Sequence, residues 1–141
     1  MSLLNDSVRQ EIGKRFTELE NPVKIINFTQ TIECDYCSET RQIMEELASL
    51  SEKIELVVYN FIEDKDKAEE YKIDKIPATV IMGEHDAGIR FYGIPSGYEF
   101  VTLLEDVVMI SRNESGLSQT SKEKLATLTT PIHLQIFVTP T

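Results

Sequence analysis

Apolar residues at Val8, Ile12, Phe16 and Leu19 recur at helical spacing and predict an amphipathic helix over 7–20, capped by Asn5 or Asp6 and stopped at Asn21-Pro22. Val23 to Thr29 is β-branched and aromatic, the composition of a buried strand. After a loop from Gln30 to Glu33, the positions Thr40, Ile43, Met44, Leu47, Ala48 and Leu50 mark a second helix, expected to begin at or just before Cys34. Ile54 to Phe61 reads as another strand and Asp64 to Tyr71 as a short charged helix. Ile76 to Met82 is a third strand opening with Pro77, a position where a missing N–H is tolerated. A turn over Gly83 to Gly88 leads into Ile89–Tyr92, closing a hairpin. Ser96-x-x-Glu99 has the form of a capping box ahead of Phe100, Leu103, Leu104, Val107 and Val108. The order is α-β-α-β-α-β-β-α up to about Asn113. Strands joined through helices are expected to run parallel and the last pair antiparallel. The expected architecture is α/β, a mixed four-stranded sheet with helices on both faces and an extra helix at the amino end.

The length of 141 residues allows one domain with a short appendage. Fourteen Lys and Arg against 24 Asp and Glu leave a net charge of −10, which opposes tracking a phosphate backbone and excludes nucleic acid as the expected partner. No apolar run approaches the roughly 18–20 residues that span a bilayer. The first 19 residues carry charges at helical spacing, unlike a signal peptide, so a cytoplasmic protein is expected.

The two cysteines stand three apart, in Cys34-Asp35-Tyr36-Cys37. Such a pair is a redox dithiol, half of a zinc site, or an accident of spacing. Zinc requires four ligands, usually two close pairs, and His85 and His133 form no second pair; no metal site is expected. A structural disulfide closing so short a loop removes little unfolded-chain entropy. The redox reading leads. A helix beginning at Cys34 would offer that sulfur unpaired N–H groups and partial positive charge, favouring the attacking thiolate, while Cys37 one turn on would be buried and resolve the mixed disulfide. Glu33, Asp35 and Glu39 work against this, so the thiol is expected below its free value by only part of what the helix would supply. His85, His133 and the acidic run from Glu63 to Glu70 are expected in solvent.

The element order places a dithiol where a strand's carboxyl end meets a helix, with a proline opening the third strand. Together with Cys34-Asp35-Tyr36-Cys37, the stretch Tyr71-Lys72-Ile73-Asp74-Lys75-Ile76-Pro77-Ala78-Thr79 and the stretch Arg90-Phe91-Tyr92-Gly93-Ile94-Pro95-Ser96-Gly97-Tyr98-Glu99-Phe100, it resembles the glutaredoxin-like protein disulfide oxidoreductases. These carry two thioredoxin folds in tandem and occur mainly in thermophilic archaea and bacteria. The resemblance implies a thioredoxin/glutaredoxin-like fold and exchange of protein disulfides through Cys34 and Cys37 with no cofactor. It implies a cis bond before Pro77, with Ile76 offering backbone groups to an extended substrate and Tyr36 beside it. It also implies, as partners, disulfide-bearing proteins, a thioredoxin-reductase-like flavoprotein and a peroxiredoxin. Thioredoxins keep a buried aspartate beneath the second cysteine; here Asn27 falls at about that position and cannot take a proton. Two other functions compete. One is a redox-idle docking unit that supports a second, catalytic thioredoxin fold. The other is a glutathione-dependent glutaredoxin, which the acidic Glu33 and Asp35 disfavour.

The chain's end repeats its beginning. At an offset of 109, Phe16 meets Leu125, Leu19 meets Leu128, Pro22 meets Pro131, Val23 meets Ile132, Ile25 meets Leu134 and Phe28 meets Phe137. Thr120-x-x-Glu123 is expected to cap a helix, and Ile132 to Val138 to form a strand. Residues 1–116 are thus read as one thioredoxin-like domain and 117–141 as the opening helix and strand of a second, cut short; the alternative is an extension that pairs with this domain's own sheet.

Overall fold

The computed structural model describes residues 1–140 and contains nine elements: α1 (Asp6–Phe16), β1 (Val23–Thr29), α2 (Cys37–Ala48), β2 (Ile54–Asn60), α3 (Lys65–Glu70), β3 (Ala78–Met82), β4 (Ile89–Tyr92), α4 (Tyr98–Arg112) and α5 (Gln119–Leu125). The four strands form one sheet in the order β2-β1-β3-β4. In β1 every residue but Lys24 is buried, because both faces are covered. Val23 and Ile25 face α1, α2 and α4, packing with Phe16, Met44, Leu47, Leu103 and Val107. Ile26 and Phe28 face the opposite side, packing with Ala68, Ile73 and Val80.

β1 and β2 are parallel, and β3 and β4 antiparallel, as expected. However, β3 runs against β1 although a helix precedes it, with Phe28 opposite Ala78 and Lys24 opposite Met82. The shortness of the helix allows this. The six residues of α3 rise about 9 Å, while the seven of β2 advance about 23 Å. The helix therefore does not carry the chain back along the sheet, and β3 starts at the end where β2 finished.

Asn5 caps α1, its side chain accepting from the Val8 N–H at 2.9 Å. The helix ends at Phe16, short of Pro22, because the Thr17 hydroxyl donates to the Lys14 carbonyl at 2.6 Å and the chain turns there. Leu19 is still buried beyond the turn. The next residues are fastened to the end of α4. Ser111 Oγ accepts from the N–H of Glu20 at 2.8 Å and donates to the Asn21 carbonyl at 2.7 Å. Asn21 Nδ2 returns a bond to the Ser111 carbonyl at 2.8 Å.

Two caps differ from expectation. Gly97, with φ at 63°, is the N-cap of α4, and the Ser96 hydroxyl donates instead to the Pro140 carbonyl at 2.6 Å. The left-handed backbone at 97 is one that glycine adopts without strain, so the chain enters the helix one residue later than a Ser96 cap requires. Ser118, not Thr120, caps α5, accepting from the Ser121 N–H at 3.2 Å. The expected strand over Ile132–Val138 is not formed. A strand needs a neighbour to take its N–H and C=O groups, and no strand of the sheet pairs with this segment. Ile132, Leu134, Ile136 and Phe137 stand 60–89% exposed.

Candidate active site

The sequence leads directly into the dithiol at the carboxyl end of β1. Past Thr29 the chain leaves the sheet through Gln30, whose side-chain amide donates to the Ile32 carbonyl, and turns at Glu33 with φ at 55°. Helix α2 starts at Cys37, three residues later than expected. Tyr36 is its N-cap without a side-chain cap bond, and the Tyr36 carbonyl accepts from the Thr40 N–H at 3.0 Å. Cys34 therefore lies ahead of the helix rather than within it.

Cys34 and Cys37 are joined as a disulfide with Cα atoms 5.5 Å apart. Cys37 is 1% exposed, while Cys34 is partly open to solvent. The bond holds the Cys34 sulfur against the first residue of α2, so both sulfurs lie at the end where helix N–H groups are unpaired. Glu33, Asp35 and Glu39 are all exposed.

Pro77 lies at the same end of the sheet. Ala78 is opposite Phe28, which puts Pro77 level with the point where β1 gives way to the cysteine loop. The Ile76–Pro77 bond is cis, and the Pro77 carbonyl accepts from the Gly93 N–H at 2.9 Å. Pro77 is buried and Ile76 half-buried, whereas Tyr36 is 54% exposed beside the disulfide. Lys75 precedes this pair. Its Nζ donates to Asp74 Oδ1 at 2.7 Å and lies 4.7 Å from the Tyr92 ring centroid. The hydrogen bond from Lys75 holds the Asp74 carboxyl below its usual range.

Beneath the cysteines the interior turns polar. Asn27, Thr40 and Thr79 are each 0% exposed. Asn27 and Thr79 are cross-strand partners, and Thr40 lies three residues after Cys37 on the buried side of α2. The Asn27 amide donates to the Ala78 carbonyl at 3.2 Å. Asn27 Oδ1, Thr40 Oγ1 and Thr79 Oγ1 find no partner among the described residues. An orphaned buried group costs about 1–3 kcal/mol, so three of them are expensive. The sequence singles out Asn27 but not the two threonines. Their signals are polar residues at inward positions, one three residues after Cys37 and the other opposite Asn27.

Among the described residues no group of three or more His, Cys, Asp and Glu is placed to hold a metal ion. A concavity of about 340 Å³ lies at the far end of the molecule, lined by Arg15, Glu18, Glu105, Asp106 and Arg112, remote from the sulfur chemistry.

The family profile described as Thioredoxin domain matches residues 22–105. The chain belongs to the thioredoxin domain family. This thioredoxin-domain protein is 33% identical over 75 residues to the thioredoxin of Methanocaldococcus jannaschii, covering 52% of this chain and 82% of that one. Its fold superposes on a protein disulfide oxidoreductase from Aeropyrum pernix with a TM-score of 0.81 at 30% identity, covering 90% of this chain and 57% of the other. It also matches the N-terminal domain of the alkylhydroperoxide reductase subunit AhpF from Enterococcus faecalis, with a TM-score of 0.77 at 27% identity, covering 86% and 59%. The thioredoxin-domain chain thus spans less than two thirds of the length of either solved chain. The glutaredoxin-like resemblance read from the motifs stands within this family, and the expected fold is the one observed.

Proposed function

We propose that the protein is a thiol–disulfide oxidoreductase acting on protein disulfides, with Cys34 as nucleophile and Cys37 as resolving thiol. The observation that carries this reading is the asymmetry of the pair: one cysteine partly open to solvent, its partner buried at the first residue of α2, both at disulfide distance. In the reduced protein, the Cys34 thiolate attacks one sulfur of a substrate disulfide. That S–S bond breaks, a substrate thiolate leaves, and a mixed disulfide forms. Cys37 then loses its proton and attacks the Cys34 sulfur, expelling the second substrate thiolate. Two electrons pass to the substrate, and the protein ends as the Cys34–Cys37 disulfide. Ile76 and Pro77 would bind the extended substrate chain, with Tyr36 as an aromatic contact beside the sulfurs. Their position at the same end of the sheet supports these roles.

The likeness to AhpF supports a flavoprotein reductase as electron donor and a peroxiredoxin as one acceptor. No helix among the described residues is long and apolar enough to cross a membrane. A dithiol that works from its reduced form fits a compartment that keeps thiols reduced, and the location proposed is the cytoplasm. We read residues 1–116 as one thioredoxin-like unit and 117–141 as the opening of a second, on the repeat at an offset of 109.

Reduction of insulin disulfides in the presence of dithiothreitol tests the activity. Wild-type protein is expected to accelerate precipitation of the insulin B chain. Cys34→Ser is expected to abolish the effect, and Cys37→Ser to accumulate a mixed disulfide visible by mass. Wild-type protein no faster than dithiothreitol alone would overturn the assignment and favour the redox-idle docking unit.

A further inference from the structure

We propose that Glu33, Asp35 and Glu39 make the dithiol selective for disulfides set among cationic side chains, so that the substrates reduced fastest are protein segments rich in Lys and Arg. This deepens the oxidoreductase reading above and rests on it.

Covalent adjacency fixes the placement. Glu33 and Asp35 flank Cys34, each with its Cα about 3.8 Å from that of the cysteine. Glu39 stands two residues after Cys37, in the first turn of α2. All three are exposed, and among the described residues none of them takes part in an ion pair. No Lys or Arg occurs between Lys24 and Arg41. Arg41 is held by Glu45 at 2.8 Å, and Lys75, just ahead of Ile76 and Pro77, is held by Asp74 at 2.7 Å. The rim of the reacting sulfur thus carries three negative charges that nothing beside them neutralises. Tyr36, 54% exposed between the cysteines, adds an aromatic surface that attracts a cation.

The chemistry makes those charges count. In the attack, the Cys34 thiolate bonds to one substrate sulfur as the substrate S–S bond breaks, and the other sulfur leaves with the electron pair. One negative charge passes through the step, spread over three sulfurs. Carboxylates around it raise the barrier, a substrate cation that pairs with them lowers it again, and a substrate anion is repelled. The effect is local. The Debye length is about 8 Å at physiological ionic strength, whereas the seven residues of β1 advance about 23 Å. Glu18, Glu52 and Glu84 are also exposed, but they lie at the opposite end of the sheet, ahead of β1, ahead of β2 and after β3. They add to the net charge of −10 without reaching the sulfurs.

The test uses reduced full-length protein and three cyclic disulfide peptides of one sequence, bearing Lys, Gln or Glu on both sides of one cysteine. Second-order rates are read by acid-quenched chromatography. An opposite charge about 8 Å from one carboxylate in water changes a rate about twofold, so three carboxylates give roughly fivefold to tenfold. Wild-type protein at about 0.01 M ionic strength is expected to reduce the Lys peptide faster than the Gln peptide by that factor, and the Glu peptide more slowly by a similar one. Both preferences are expected to shrink toward unity at about 1 M salt. Glu33→Gln/Asp35→Asn/Glu39→Gln is expected to abolish them, and Glu18→Gln/Glu52→Gln/Glu84→Gln, with the same net charge, to keep them. The Gln peptide meets the same nucleophile, so dividing by its rate removes any change in thiol reactivity. If the triple rim variant does not fold, the three single variants are each expected to lower the Lys preference about twofold. An undiminished Lys preference in the rim variants, no preference in wild-type protein, or an equal loss in the far-end variant would overturn the proposal. Wild-type protein that reduces none of the three peptides faster than a simple monothiol would instead overturn the oxidoreductase reading.

Discussion

Replacing Glu46 by glutamine should unfasten the amino end of the chain and remove a specific piece of the pH dependence of stability. One Glu46 oxygen, Oε2, accepts from Ser2 Oγ at 2.7 Å, the Leu4 N–H at 3.0 Å and Arg9 Nη1 at 3.2 Å. The other, Oε1, accepts from the Leu3 N–H at 2.7 Å and Gln42 Nε2 at 3.0 Å. Burial by itself would raise the carboxyl pKa, but the bonds from Ser2, Leu3, Leu4 and Gln42 outweigh it and lower the value from 4.5 to about 2. Counted in full, that shift corresponds to about 3.4 kcal/mol. The segment it fastens is largely exposed and water screens the charge, so the expected contribution is about 1–2 kcal/mol. A carboxyl with a depressed folded-state pKa stabilises fully above its unfolded value and loses that stabilisation as pH falls toward the folded one. Glu46→Gln is therefore expected to lower Tm by about 3–7 °C at neutral pH. The gap to wild type should close between about pH 4.5 and pH 2. Thermal unfolding followed by circular dichroism across that range measures it. A gap of the same size at both ends, or none at neutral pH, would refute the reasoning.

Two contrasts test the remaining energetics. Leu103→Ala, at a position 0% exposed in the core, is expected to cost about 2–5 kcal/mol in urea unfolding. Phe137→Ala, at a position 89% exposed, should stay within about 0.5 kcal/mol of wild type despite the larger side chain removed. In the hairpin, the hydrogen bond from Arg90 is the main cause that holds the Asp86 carboxyl below its usual range. The stability it supplies is present above the ordinary aspartate pKa and is lost as pH falls through the lowered one. Arg90→Met should return Asp86 toward the ordinary value in a carboxyl NMR titration; an unmoved titration would reject the pairing.

Strand positions are legible in the sequence because β1 and β2 are rich in β-branched and aromatic residues, the composition that fits a pleated and partly or fully covered surface. The run Val23–Thr29 coincides with β1 to the residue, and Ile54–Phe61 with β2 to within one. The dithiol is legible because two cysteines three apart, at a strand-to-helix junction and with no second ligand pair, fit little besides a redox couple. Asn27 stands out in its strand as an amide among apolar neighbours. What the pattern does not carry is anything decided by competition between local bonds. Ser96 and Thr120 each have the sequence form of a cap, yet Gly97 occupies the cap of α4 through a positive φ with no side-chain bond, and Ser118 caps α5 by accepting from the Ser121 N–H. The direction of β3 departs from expectation since it depends on the length of α3 rather than on its presence. Ile132–Val138 has strand composition without a strand. Alternation and β-branching describe a willingness to pair, and pairing takes a partner.

The fastening of Ser111 to Asn21 joins residues 90 apart through a hydroxyl, two carbonyls and an amide. Asn21 stands two residues ahead of β1, the strand on which both neighbouring strands are hung. The last turn of α4 is consequently not a loose helix end. It acts as a keystone: to let it fray, the chain must also release the root of its central strand. Opening at either place is expected to report on the stability of the whole unit.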